Sequence, residues 1–427
     1  MSAALGSCLA LLPGGDLHAG TTIVVDNCDD SGGGSLRDAV ASAASGDTVD
    51  LTALSCSTIS LSSGAIEIAQ ASLTIEGPGT ALVLDAGYSD RILHHSGTGT
   101  LFVSGLTLRE GKYISDTNSK GGCVFSAGNV SLSNTLVTKC SVTGQDLAVA
   151  LGGAIFTQGN LAVVSSRITG NRAQGAAEVN SSSNGGAALV VGDLTVKYST
   201  FDHNEALPTV GRNSGAGAVE TFGSATIIGS TFSDNYALFF GALSLEGADT
   251  NDGLIMDSTF SHNIAQRTSA IYTQFPLRIL NSTIALNLAG SHGAVYSQDS
   301  SLEFQSTIIA GNESSGATAD DLNGTANTPP VTGANNLITS SDIPLPPDTI
   351  TDCPRLAQLS NYGGTTQTHA LLDDSPAIDA GNNVDNLAED QRGQPREFGP
   401  ATDIGAYEWD GPVEFMFHSG FEPTCDN

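Results

Sequence analysis

Eight times along this chain a short apolar pattern closes on the same kind of position, at a nearly constant spacing. Three copies are almost identical: Phe201-Asp202-His203-Asn204, Phe232-Ser233-Asp234-Asn235 and Phe260-Ser261-His262-Asn263. Counting back from each closing residue finds apolar side chains at minus three, minus eight and usually minus ten. Leu161/Val163/Ile168 precede Asn171 in this way, and Leu302/Phe304/Ile309 precede Asn312. The copies close at Gly111, Cys140, Asn171, Asn204, Asn235, Asn263, Asn287 and Asn312, at intervals of 29, 31, 33, 31, 28, 24 and 25 residues. Apolar residues two apart mark a half-buried strand, and a fixed period of this size means that each unit buries its apolar side against the next. A stacked β-solenoid is expected, with Val137, Ile168, Phe201, Phe232, Phe260, Ile284 and Ile309 in one inward column and the Asn residues at a shared bend.

A second element alternates with the first: Gly121-Gly122-Cys123-Val124, Gly152-Gly153-Ala154-Ile155 and Gly185-Gly186-Ala187-Ala188, with looser versions through Gly293-Ala294-Val295-Tyr296. Small residues there let the backbone turn sharply and approach the neighbouring coil. Gly supplies 50 of 427 residues and only 14 % are charged, which suits short strands between tight turns and excludes a helical coiled coil. Acidic residues outnumber basic ones by 45 to 15, for a net charge of −30. A protein that tracks nucleic-acid phosphates needs the opposite sign, so that class of partner is excluded. The acidity reads as solubility ahead of cation binding, since neither an EF-hand loop nor a Gly-Gly-x-Gly-x-Asp repeat occurs. Apolar runs fall short of the ~18–20 residues that a membrane-spanning helix needs.

Residues 1–19 read as an export signal, with an apolar run from Ala3 to Leu12 and small-residue cleavage after Ala19, although no basic residue precedes the run. Residues 20–55 read as an N-terminal cap in which Ser35 opens a short helix, with Asp38 as its capping partner. Residues 56–340 hold the coils, 341–410 a C-terminal cap, and 411–427 a tail. Removing the first segment takes Cys8 with it and leaves six cysteines without C-x-x-C spacing, which favours disulfides over a zinc site. Cys28 and Cys56, flanking one cap, form the best pair. Cys140 stands in the Asn column and reads as an inward thiol.

These elements together resemble the right-handed parallel β-helix, or pectin-lyase-like, superfamily. Gly152-Gly153-Ala154-Ile155 and the three Phe-x-x-Asn copies resemble repeats of the polymorphic outer membrane proteins, which are surface adhesins. Gly34-Ser35-Leu36-Arg37-Asp38-Ala39-Val40 is similar to a leader of exported bacterial β-helix proteins. Ser375-Pro376-Ala377-Ile378-Asp379-Ala380-Gly381, Asp390-Gln391-Arg392-Gly393 and Asp403-Ile404-Gly405-Ala406-Tyr407-Glu408 resemble the choice-of-anchor Q domain, and Phe417-His418-Ser419-Gly420-Phe421-Glu422 a tail of such exported proteins. The resemblance implies an all-β, single-stranded right-handed parallel β-helix, secreted or held at a bacterial cell surface. The adhesins end in a transmembrane β-barrel, for which the residues after the repeats here are too few.

Lyases and glycosidases also use this fold, so paired carboxylates matter. Asp320-Asp321 and Asp373-Asp374 occur, and both read as solvated turns. A β-elimination lyase needs a base and a cation, yet Arg167 and Lys197 stand alone and read as solvent-facing. The position before the closing Asn holds His203, Asp234 and His262 in consecutive coils. Two imidazoles around a carboxylate define the candidate divalent-metal site, with calcium or another divalent cation as its occupant, against the plainer reading of an exposed polar turn. Asp390, Arg392, Arg396, Asp403 and Glu408 read as buried ion pairs that fix the C-terminal cap to the last coil. The expectation is a monomeric binding protein for extended glycans or surface proteins, with no organic cofactor. A polysaccharide lyase or glycoside hydrolase is the alternative.

Overall fold

The computed structural model describes residues 20–145, 148–175, 181–207 and 214–411. Every strand pair is parallel, and strands from successive coils stack into sheets of 12, 11, 10 and 8 strands with a short fifth sheet of three. One coil shows the circuit. Val124–Ser126 belongs to the ten-stranded sheet, Asn129–Ser133 to the twelve-stranded, Leu136–Thr138 to the eleven-stranded and Ser141–Gly144 to the eight-stranded, before the chain returns one level up at Ile155–Thr157. These are called sheets C, A, B and D below. The expected β-solenoid is the fold.

The inward column forms as the spacing predicts. Val137, Ile168, Phe201, Phe232, Phe260, Ile284 and Ile309 are register partners in sheet B, and all are fully buried. Phe201, Phe232 and Phe260 stack face to face at 4.9 and 4.8 Å, so the coil spacing sets the ring spacing. The Asn residues form a buried ladder. Each side-chain Nδ2 donates to the Oδ1 of the next Asn, at 3.0 Å from Asn171 to Asn204 and 2.9 Å from Asn287 to Asn312. Each Oδ1 also accepts the backbone N–H of the preceding copy, so a bend deep in the wall leaves no donor unpaired. The residue before each Asn turns through positive φ, including His203, Asp234 and His262 at 55°, 55° and 57°.

The ladder's two ends differ from the sequence reading. At its start Cys140 is no free thiol: it is disulfide-bonded to Cys123, with Cα atoms 5.5 Å apart. Cys123 lies in the Gly-Gly element of the same coil, and the bond ties two sides of that coil at the level where the Asn column begins. At its far end the ladder closes on Asp321, whose Oδ1 accepts from Asn312 Nδ2 at 2.8 Å. Asp321 is therefore buried and not a solvated turn residue; its neighbour Asp320 is exposed and holds Ser314. Cys28 pairs with Cys56 as expected. Cys353 is also disulfide-bonded. Cys8, Cys425, the export-signal segment and the Phe417–Glu422 motif lie outside the described residues.

At the front, α1 (Leu36–Ser42) starts at Ser35, whose Oγ accepts from the Asp38 N–H while Asp38 accepts from the Gly34 N–H. Leu36, Ala39 and Val40 bury that helix on the first coils. At the back, residues 341–350 close the core, with Ile343 and Leu345 packed on its end. The following segment, through Trp409, does not cap the end of the last coil, which it meets from the side, where Asn335 Nδ2 donates to the Ala380 carbonyl at 3.2 Å and Leu337 joins the same apolar cluster. It lies along the flank, over the outer face of sheet B. Thr366 Oγ1 donates to the Gly229 carbonyl at 3.0 Å, Ser261 bonds His369 Nε2 at 2.8 Å, and the Gly405 N–H donates to the Ser306 carbonyl at 2.8 Å. Ile308, Ala310 and Ala285 add an apolar contact with Leu356, Leu371, Ile404 and Tyr407. Sheet B strands under this strap are buried on both faces, whereas earlier strands such as Leu136–Thr138 and Arg167–Thr169 bury only their central residue.

Candidate functional site

With the C-terminal half of sheet B covered, a continuous row of side chains remains open along the corner at the end of sheet C. Each sheet C strand is followed by a residue whose N–H continues the ladder to the coil below. These residues stack as Val191, Phe222, Glu246, Gln274 and Gln298. Val191 is 45 % exposed and Phe222 38 %. The row therefore passes from an apolar platform to a run of carboxylate and amides, one group per coil, about 4.8 Å apart. Tyr272, two residues before Gln274 along the strand, links the two amides: Gln274 Nε2 donates to its hydroxyl at 2.9 Å, and the hydroxyl donates to Gln298 Oε1. Beside the row lies a depression of about 460 Å³ whose walls include Asp249, Gln274, Pro276, Gln298, Asp299 and Ser301.

Behind the row two carboxyl groups share a buried environment. Glu220 points outward from sheet C but is covered by the layer carrying Asn184 and Gly215, leaving it 2 % exposed. Asn184 Nδ2 donates to Glu220 Oε1 at 2.9 Å, and Gly215 packs directly over the carboxyl, where an added Cβ would fall 1.7 Å from Glu220 Oε2. Glu246 accepts from Ser244 Oγ at 2.9 Å. Burial, with Glu246 nearby, pushes the Glu220 carboxyl up to about 8, and burial raises Glu246 as well. Glu220 is thus protonated at neutral pH. A carboxyl whose folded pKa lies above its unfolded value loses its stabilising contribution as pH rises from the unfolded pKa, ~4.3, towards the folded one. Glu220→Gln, which cannot ionise, is expected to stabilise the fold by on the order of 2 kcal/mol at pH ~8 and to change little at pH ~4. Thermal melts at both pH values check this; equal effects at the two would mean that the carboxyl titrates normally.

The other residues singled out in the sequence occupy different places. His203, Asp234 and His262 stack on exposed corners, but the two imidazoles turn to near neighbours: His203 Nδ1 bonds Asp202 at 2.8 Å and His262 Nδ1 bonds Ser261 at 2.8 Å. Among the described residues no three His, Cys, Asp or Glu side chains converge as a metal would require. Arg167 is largely exposed and grips Asp202 with two bonds of 2.8 and 2.7 Å. Burial raises the Asp202 carboxyl, but Arg167 and His203 hold it below the ordinary range. Arg167 and Tyr198 border a second depression of about 500 Å³, where the strap contributes Thr365. Lys197 is half-buried, and Asp373 and Asp374 are exposed, the latter paired with Arg355.

The charge-rich group does bury ion pairs, but it fixes the strap to the flank and not to the last coil. Arg392 bonds Asp390 at 2.8 Å and the Glu408 carbonyl at 2.6 Å, and Arg396 bonds the Gly405 carbonyl at 2.6 Å and lies 3.9 Å from Asp257 of the coils. Burial pushes Asp257 and Glu408 up to about 7 and His369 down to about 4. His369 is therefore neutral, its Nδ1–H donating to the Ala357 carbonyl while Nε2 accepts from Ser261.

The sequence matches no protein-family model, and no curated protein matches it. Among the described residues no helix is long and apolar enough to cross a membrane.

Proposed function

We propose that this protein is an exported binding protein, monomeric and secreted or held at a cell surface, that contacts extended glycans along one flank without catalysing a reaction. The row Phe222, Glu246, Gln274 and Gln298 beside its depression carries the reading. It offers an aromatic residue and several hydrogen-bonding groups in a line, repeated at the pitch of the coils, which suits a long repetitive ligand better than a small one. The disulfides fit an oxidising compartment. Membership of the pectin-lyase-like lineage, and an anchoring role for the region around Ser375–Gly381 and Asp403–Glu408, belong to the same proposal.

A hydrolase is the second reading, favoured by the paired Glu220 and Glu246 carboxyls. Two carboxyl groups flanking the scissile bond are what acid–base cleavage of a glycoside uses. The burial of Glu220 beneath Asn184 and Gly215 argues for a structural role, since a general acid has to reach the oxygen it protonates. A glycan array is expected to give binding, while reducing-end release and absorbance of unsaturated sugars stay at background across a polysaccharide panel with and without calcium. Turnover that disappears in Glu220→Gln or Glu246→Gln would make the protein an enzyme.

A further inference from the structure

We infer that the distal half of one strap hairpin, residues 358–368, is a lid at the mouth of the Arg167 and Tyr198 depression, latched by the side chain of Gln391. The two arms of this hairpin run antiparallel, with bridges between Leu356 and Leu371 and between Ser360 and Thr368. Its base is seated by burial: Leu356, Ala357, Ala370 and Leu371 share an apolar cluster with Ala285, Ile308 and Ala310 of sheet B. Its distal half is seated differently. Between Ala357 and Ala370 no apolar side chain is fully buried, and Leu359 and Tyr362 are half-buried. The chain reverses in a tight turn at Asn361–Gly364, where the Gly364 N–H donates to the Asn361 carbonyl at 2.8 Å and Gly363 takes a φ of 92°.

Hydrogen bonds hold that half to the coils. Thr366 Oγ1 donates to the Gly229 carbonyl at 3.0 Å, the Thr231 hydroxyl donates to the Gln367 carbonyl, and the Thr259 and Thr368 hydroxyls lie 2.9 Å apart. The strands Thr231–Ser233 and Thr259–Ser261 beneath it add no apolar side chain to the cluster under the base. Gln391, itself buried, ties these contacts together. Its Nε2 lies 3.0 Å from Thr366 Oγ1, 2.9 Å from the Gln367 carbonyl and 3.1 Å from Thr231 Oγ1, and its Oε1 accepts from Thr259 Oγ1 at 2.6 Å. One amide therefore grips both the lid and two coils. Water replaces such bonds when the lid lifts, whereas lifting the base would expose apolar surface, so the distal half opens first. Thr365 stands in the wall of the depression beside Thr200, and Thr200 and Thr231 are register partners. Opening removes the Thr365 wall and frees the Thr231 hydroxyl, which lengthens the depression along sheet B by one coil, about 4.8 Å.

Hydrogen–deuterium exchange of the full chain without ligand tests this. The Ser360 and Thr368 N–H groups donate to each other's carbonyls at 3.0 and 2.9 Å, so they report directly on the distal half. In the wild-type protein, residues 358–368 are expected to exchange at least about 100-fold faster than residues 228–234 of the coils below. Gln391→Ala should speed exchange in 358–368 by a further factor of about 10, while 228–234 and the base at 369–372 keep their wild-type rates. The wild-type comparison does not depend on the variant folding. Equal wild-type rates in the hairpin and the coils would overturn the lid. Gln391→Ala that leaves 358–368 unchanged, or that speeds all three segments together, would overturn the latch.

Discussion

Phe232→Ala is expected to cost about 3–5 kcal/mol, among the largest single losses available in this chain. The ring is fully buried and lies between two others, Phe201 at 4.9 Å and Phe260 at 4.8 Å. Its removal forfeits the transfer of an aromatic side chain out of water and also two stacked contacts. The cavity cannot collapse, because the backbone on either side is fixed in register to the coils above and below. Denaturant unfolding measures the loss. A cost below ~1 kcal/mol would mean that the ring is not enclosed, and with it the whole inward column would be misplaced. Phe232→Leu should recover more than half of the difference, since it refills most of the space.

Asn235→Ala is expected to be comparably damaging, by about 4 kcal/mol, through a different mechanism. The Asn235 side chain accepts from the backbone N–H and the Nδ2 of Asn204, and it donates to the Phe201 carbonyl and to Asn263 Oδ1. Alanine removes all four bonds at once and strands buried partners with no water to replace it, each at a cost of about 1–3 kcal/mol before relaxation. Asn235→Asp tests the same point more sharply. The carboxylate keeps both acceptor functions but cannot donate, so it should remain destabilising at neutral pH. The far end of the ladder tolerates a carboxyl because Asp321 has other donors: Thr339 and Ser340 bond its second oxygen. Burial raises the Asp321 carboxyl despite those bonds, as expected for a group closing a dry column. If Asn235→Ala unfolds at the wild-type midpoint, the ladder does not support the wall.

Much of this architecture could be read from the sequence because the coils repeat. An apolar pair two residues apart, closing on Asn at 24 to 33 residue intervals, has one economical solution, and Phe201, Phe232 and Phe260 sit where it places them. The candidate site was hidden for a related reason. Glu246, Gln274 and Gln298 follow the Gly-Ala element in positions that vary between Val191, Phe222 and polar residues, so no residue type marks them. Their spacing did carry a signal: the steps from 246 to 274 and from 274 to 298 are 28 and 24 residues, the same as from Asn235 to Asn263 and Asn287. The strap was harder to see. Its segment has no repeat, and the trace of its footprint is that sheet B strands turn from one apolar centre between charged or polar residues to uncharged residues on both faces, as at Thr283-Ile284-Ala285 and Ile308-Ile309-Ala310. The Cys123–Cys140 bond escaped because it joins two sides of one coil, a proximity that only the closed circuit creates. Glu220 looks like an ordinary polar strand residue, and its burial depends on a covering layer in which Asn184 of the neighbouring coil meets Gly215 of its own.

The account places ligand binding on the flank that follows sheet C, across consecutive coils, while the C-terminal half of the outer face of sheet B is covered by the strap. Hydrogen–deuterium exchange with and without a saturating glycan ligand from the array tests this most directly. Added protection is predicted in three separated stretches, 246–249, 274–276 and 298–301, which share nothing in sequence and meet only on that flank. Protection confined instead to the Arg167 and Tyr198 depression, or scattered without regard to coil register, would contradict it.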